Sequence, residues 1–249
     1  YSIPLELEET GLPHYVIKRL KLKKLVDAPD LDEWRRVVAE IRAPKPTIRV
    51  GIVGKYVELH DACICAREAL YHAGIANNRM VEVEWIHSGD LEKGRGWEQF
   101  EGLHGIVVPG GFGERGIEGK IMAATWAREN QVPYLGLCLG MQVMCIEFAR
   151  FVLNSDEPNS TEFDSHTEHP VISLMPDQHD LDDMGGTMRL GAYPCHLIPD
   201  THAAQAYGTD EVISERHRHR WEFNNSYRSV LEAGGLVFSG LSPNGRLVE

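Results

Sequence analysis

Tyr134-Leu135-Gly136-Leu137-Cys138-Leu139-Gly140-Met141-Gln142 is the stretch on which the fold turns. Tyr134 to Leu137 is an apolar run of strand length, and Leu139 to Arg150 continues as a helix. A cysteine therefore stands where strand becomes helix, with glycines two residues away on either side. This is the nucleophile-elbow arrangement with Cys in place of Ser: the glycines permit a tight, strained turn that lifts the side chain clear of the sheet. The helix beginning at Leu139 aims unpaired N–H groups and its positive dipole end at the sulfur, which favours the reactive thiolate. A buried structural role suits Cys145 and Cys195 better, since glycines flanking Cys138 at a strand end weaken a sheet without any packing reward.

The same alternation recurs before this stretch. Ile48 to Val53, Val81 to Ile86 and Gly105 to Val108 read as strands, and Ala62 to Ala73 and Ile117 to Asn130 as helices. Short apolar strands each followed by a helix predict an α/β fold, a mostly parallel central sheet flanked by helices, with ligands bound at the carboxyl ends of the strands. Pro109-Gly110-Gly111-Phe112-Gly113 follows the strand ending at Val108, so it shares that edge with the elbow. Glycines there let backbone N–H groups approach a developing oxyanion, with Gly111 and Leu139 as the two donors.

Residues 1–46 differ from the rest. Helical stretches around Leu12 to Leu22 and Leu31 to Ile41 are separated by Asp27-Ala28-Pro29-Asp30 and closed by Ala43-Pro44-Lys45-Pro46, whose prolines stop a helix and place a domain boundary. Beyond Phe151, Asn154 to Ser160 and Asp177 to Asp183 read as loops, Val171 to Leu174 and Leu236 to Phe238 as strands, and Arg246 to Glu249 as the middle of a strand. A first residue Tyr1 in place of Met implies that the gene begins upstream.

Composition narrows the function. The formal charge of -12 disfavours nucleic-acid binding, because a phosphate backbone needs a basic surface. The basic run Arg216-His217-Arg218-His219-Arg220 is too short to reverse this and suggests a local anion site. No window has the ~18 unbroken apolar residues of a membrane span, and the start lacks the order of a secretory signal. Five cysteines without framework spacing suit a reducing compartment, so a cytoplasmic protein is expected. Cys63-Ile64-Cys65 is too closely spaced for a zinc pair and reads as two small residues on a helix.

Five motifs together resemble the glutaminase domains of CTP synthases, within the class I glutamine amidotransferases. They are Pro-Gly-Gly-Phe-Gly at 109–113, Gly-Leu-Cys-Leu-Gly-Met-Gln at 136–142, Asn-Ser-Thr-Glu-Phe at 159–163, Gly-Gly-Thr-Met-Arg-Leu-Gly at 185–191 and Glu-Arg-His-Arg-His-Arg at 215–220. The first two occur across class I enzymes, and the last two are distinctive of the CTP enzymes. The resemblance covers nearly the whole chain, with residues 1–46 similar to the end of a synthetase domain and its linker, and residues 47–249 to the amidotransferase domain.

The resemblance implies that Cys138 attacks the side-chain amide of glutamine, releasing ammonia and forming a glutamyl thioester that water cleaves. It implies a glutamine site of Gly111, Phe112, Leu139, Gly140, Met141, Gln142, Glu162, Arg220 and Trp221, with Glu162 on the α-amino group and Arg220 on the α-carboxylate. A carboxylate for an ammonium and a guanidinium fork for a carboxylate are sound pairings. Trp221 stands where Tyr or Phe is usual. The family further implies ATP with Mg2+ and UTP in the synthetase domain, a homotetramer of the full-length enzyme, and activation by GTP, for which Arg115 and Arg189 are candidates. No metal or cofactor is expected in residues 47–249. His217 and His219 are set aside as bases, because in the family the base and its orienting Glu come from a later His-Pro-Glu segment. That segment is not in this sequence, so weak turnover is expected of the chain alone. Two alternatives remain open: a cysteine hydrolase acting on γ-glutamyl compounds, and an inactive binding or assembly module.

Overall fold

A computed structural model describes residues 1–22, 29–174 and 188–249. The loop expected over Asp177 to Asp183, the first half of the motif at 185–191, and Asp27-Ala28 lie outside the described residues. The chain forms two compact units, residues 1–48 with 68–81, and residues 49–67 with 82–249.

In the first unit, α1 (Ile3–Glu9), α2 (Leu12–Arg19) and α3 (Asp32–Arg42) form before the proline-rich stretch. The α1–α2 corner is turned by Gly11 at φ 72°, a left-handed conformation that glycine adopts freely. Trp34 donates its indole N–H to the Tyr1 carbonyl at 2.8 Å, and the Tyr1 hydroxyl lies 2.7 Å from His72 Nε2. Helix α1 lies outside the expected stretches because its Leu-Glu-Leu-Glu alternation carries no helical period; Pro4 in its first turn suits a helix start.

From residue 47 the order is β1 (Thr47–Gly54), α4 (Ile64–Ala76), β2 (Met80–His87), α5 (Ser88–Leu91), β3 (Gly105–Val108), α6 (Ile117–Glu129), β4 (Tyr134–Gly136) and α7 (Leu139–Leu153). Every strand and helix expected here is present, within a few residues of its predicted ends. The central sheet has the order β2-β1-β3-β4. Strand β3 lies parallel to β1 and to β4, with Val108 opposite Gly136, so the carboxyl ends of the strands come together as expected.

The remaining elements are β5 (Pro158–Ser160), β6 (His169–Leu174), β7 (Arg189–Leu197), α8 (His202–Tyr207), β8 (Val212–His219), β9 (Trp221–Phe223), α9 (Arg228–Ala233) and β10 (Gly240–Leu241). They build two smaller sheets, β10-β7-β8 and β5-β6-β9. Asn154 to Ser160 is thus not all loop, since Pro158 to Ser160 pairs with β6. Leu236 to Phe238 is not a strand; Phe238 instead packs its ring against Phe223. Arg246 to Glu249 makes a single bridge, Leu241 to Val248.

Helix α6 is buried on two sides. Ile117, Ile121 and Ala124 join α7, Val171 and Phe223 in one apolar cluster, while Ala123 and Ala127 pack with Val53, Ile106 and Val108 of the sheet in another. Such a helix has no wide polar face, which explains its run of small and apolar residues.

Candidate active site

The elbow is held by two close backbone approaches. A Cβ on Gly136 would stand 2.4 Å from the Gly140 carbonyl carbon, and one on Gly140 would stand 1.9 Å from the Val108 carbonyl oxygen. No side chain fits at either place, so the chain can turn from β4 into α7 only with glycine at both. Cys138 itself sits at φ 57°, ψ -109°, a sparsely populated conformation for a residue with a side chain. The Leu137 N–H donates to Val108 O at 2.9 Å, which ties the elbow to β3.

Around the sulfur, the backbone N–H groups of Leu139 and Gly111 both act on Cys138 Sγ in the sense that favours the thiolate. Gly110 lies so close that a Cβ there would be 3.2 Å from Cys138 Cβ and 3.6 Å from Sγ. The loop after β3 and the start of α7 thus bring two donors to one atom, the geometry that can receive an oxyanion. The thiol nonetheless titrates above its ordinary value. Burial is the largest cause; the Leu139 and Gly111 N–H groups pull down, while Glu222 and Glu162 push up. The helix start alone therefore does not set the thiol: desolvation and two carboxylates outweigh it.

The other expected residues surround this point unevenly. Glu162 accepts a hydrogen bond from the Gly113 N–H at 3.0 Å, which places its carboxylate at the glycine loop. Phe112 is exposed, with the Arg218 guanidinium 5.6 Å from its ring centroid. Gln142 is buried and donates through Nε2 to the Trp221 carbonyl at 2.9 Å, so it anchors β9 from α7. Met141 packs against the apolar cluster around α7, its sulfur 3.6 Å from that of Cys145. Arg220 stacks over Trp221, 5.9 Å from the ring. Arg115 lies 4.9 Å over the Tyr56 ring and reaches the Lys55 carbonyl at 3.4 Å.

Arg189, expected to face GTP, is instead buried, paired with Glu249 and 3.5 Å from Glu222. His217 and His219 complete this cluster: His217 Nε2 is 3.1 Å from Glu249 Oε2, and the two Nδ1 atoms are 3.2 Å apart. Burial first, then His217 and Arg189, push His219 down to about 4, and burial also lowers His217. Burial pushes Glu222 up to about 7 against the pull of Arg189. Cys145 and Cys195 are both buried.

Three residues near the sulfur escaped the sequence reading. Lys55 donates to the Phe112 carbonyl, Glu222 raises the thiol, and Lys120 lines a cavity of about 260 Å3 with Gly110, Gly111, Phe112 and Cys63. The only signal for Lys120 was a cation set among the small and apolar residues of α6.

Residues 58–249 match the family described as glutamine amidotransferase class-I. The chain belongs to that family. Over 250 residues this amidotransferase is 59% identical to a CTP synthase of Roseiflexus castenholzii, covering all of this chain and 44% of that protein. A CTP synthase of Chloroflexus aurantiacus is 57% identical over 249 residues, again over the whole chain and 45% of the relative. The chain thus spans less than half the length of the curated relatives it matches. Among solved structures, the glutaminase domain of a Trypanosoma brucei CTPS with bound acivicin superposes with a TM-score of 0.73 at 35% identity, covering 81% of this chain and 79% of that one. The amidotransferase thereby has the α/β fold with a parallel central sheet that its sequence predicted.

Proposed function

We propose that the chain is the glutamine-hydrolysing part of a CTP synthase, supplying ammonia for the ATP-dependent amination of UTP. The observation that carries this is the convergence of the Leu139 and Gly111 N–H groups on Cys138 Sγ at a strained elbow. The thiolate adds to the side-chain carbonyl carbon of glutamine, and the carbonyl oxygen takes the negative charge between those two donors. The base that takes the thiol proton returns it to the departing nitrogen, so that ammonia leaves as the carbon–nitrogen bond breaks, and water then cleaves the thioester to glutamate, restoring the thiol. Glu162 holds the α-amino group and Arg220 the α-carboxylate. The base is assigned to the His-Pro-Glu segment that the family resemblance implies, because His217 and His219 are engaged with Glu249 and Glu222.

ATP with Mg2+ and UTP are assigned to a synthetase domain, through which the full-length enzyme forms a homotetramer in the cytoplasm. GTP activation is assigned to Arg115, supported by its place over Tyr56 beside the glycine loop. In the full-length protein, Cys138→Ala should abolish glutamine-dependent CTP formation and spare synthesis from added ammonia. Loss of both would assign Cys138 a structural role, and release of glutamate from γ-glutamyl peptides in preference to glutamine would favour the hydrolase alternative.

A further inference from the structure

Lys120 lies on α6, one turn after its start, and is 1% exposed. A buried ammonium is costly unless negative charge compensates it. Among the described residues, no carboxylate lies within ion-pair distance of it; the groups that act on it are Lys55, Cys63 and Cys138. Lys55 repels its charge, and the two sulfurs favour it when ionised. A Cβ on Gly111 would lie 3.8 Å from Lys120 Nζ and 3.9 Å from Lys55 Cε. The preceding residue of the same loop, Gly110, lies against Cys138. Lys120 therefore stands against one glycine of this loop and Cys138 against the one before it, and a charge as buried as that of Lys120 is poorly screened.

From this geometry we propose that Lys120 is a positioning residue for the thiol reaction: an internal cation that supports negative charge on Cys138 and on the oxyanion bound by Gly111. The inference rests on Cys138 being the nucleophile. It accounts for a buried cation whose charge, among the described residues, two sulfurs and no carboxylate favour. Burial, with the repulsion of Lys55, brings Lys120 down to about 8, so the amine is still charged at neutral pH and loses its proton as the medium becomes alkaline. Glu222 and Glu162 act on the same sulfur in the opposite sense.

The test is the rate of Cys138 alkylation by iodoacetamide in the full-length protein, followed from pH 6 to 10 by peptide mapping. Lys120→Met and Lys120→Gln should each slow labelling at pH 7 by about tenfold and move the profile to higher pH, with near-ultraviolet circular dichroism unchanged. Lys120→Arg, which keeps the charge, should recover most of the rate. A folded neutral variant labelled within twofold of the wild type across the range overturns the inference. If neither neutral variant folds, Lys120 serves the fold and the inference is again overturned. No labelling of Cys138 in the wild type would instead overturn the nucleophile assignment itself.

Discussion

The Val108 carbonyl oxygen occupies the space beside Gly140, 1.9 Å from where a Cβ would stand. Strand β3 thereby fixes where α7 begins, because no side chain can separate them. Gly140→Ala should cost roughly 3 kcal/mol or more, since the obstacle is backbone and cannot rotate away. Gly113→Ala, in open space at φ 74°, should cost only about 1–2 kcal/mol. Urea denaturation of both variants checks this, and equal losses would contradict it.

Glu222 also bears on the sulfur. Above pH 7, where its carboxyl has ionised, its charge opposes thiolate formation. Glu222→Gln should therefore speed Cys138 alkylation by a few-fold at pH 8 and change it less at pH 6. A slower reaction at pH 8 would show that the Arg189 cluster, rather than the charge on Glu222, governs the thiol.

Stability should respond to pH through two opposed groups. Glu222 titrates near 7 folded against 4.5 ordinarily, so between those values the folded state holds the extra proton and stability falls as pH rises. His219 titrates near 4 folded against 6.5, so between 6.5 and 4 the unfolded state takes the proton first and stability falls as pH drops. His217 shifts in the same sense as His219. Each effect is on the order of 3 kcal/mol, and over the shared window they oppose one another. Glu222→Gln should unmask a steeper loss in acid, and His219→Gln a loss on going from pH 4.5 to 7. Parallel denaturation midpoints in wild type and both variants would contradict this.

Gln142 holds the backbone of Trp221 across the interface of α7 and β9. Gln142→Leu leaves that carbonyl without its donor and should cost about 1–3 kcal/mol. In the full-length enzyme it should also raise KM for glutamine more than it lowers kcat, because the wall of the pocket moves and the nucleophile does not. A kcat effect alone would place Gln142 at the reacting atoms.

The central sheet was legible because its signals are local: an apolar run such as Gly105 to Val108 needs no distant partner to be read as a strand. Cys138 was legible for the same reason, since the glycines that allow its turn stand two residues away. Helix α1 was missed where its alternation imitates a strand. Leu236 to Phe238 misled because an apolar triplet serves equally to fill a core, as Phe238 does beside Phe223. Arg189 and Lys120 were opaque for a deeper reason. Sequence gives a cation no address, and only the three-dimensional chain shows Arg189 between two carboxylates and Lys120 beneath a glycine loop. The balance on the thiol was equally hidden, since Glu222 reaches the site from a strand far along the chain.

Cys138 keeps its contorted backbone although a glycine there would relax it, at a gain of order 1–2 kcal/mol. Thermal hardiness and chemistry thus pull in opposite directions at this position. A screen for heat-resistant variants would tend to select against the very sulfur that makes the domain useful.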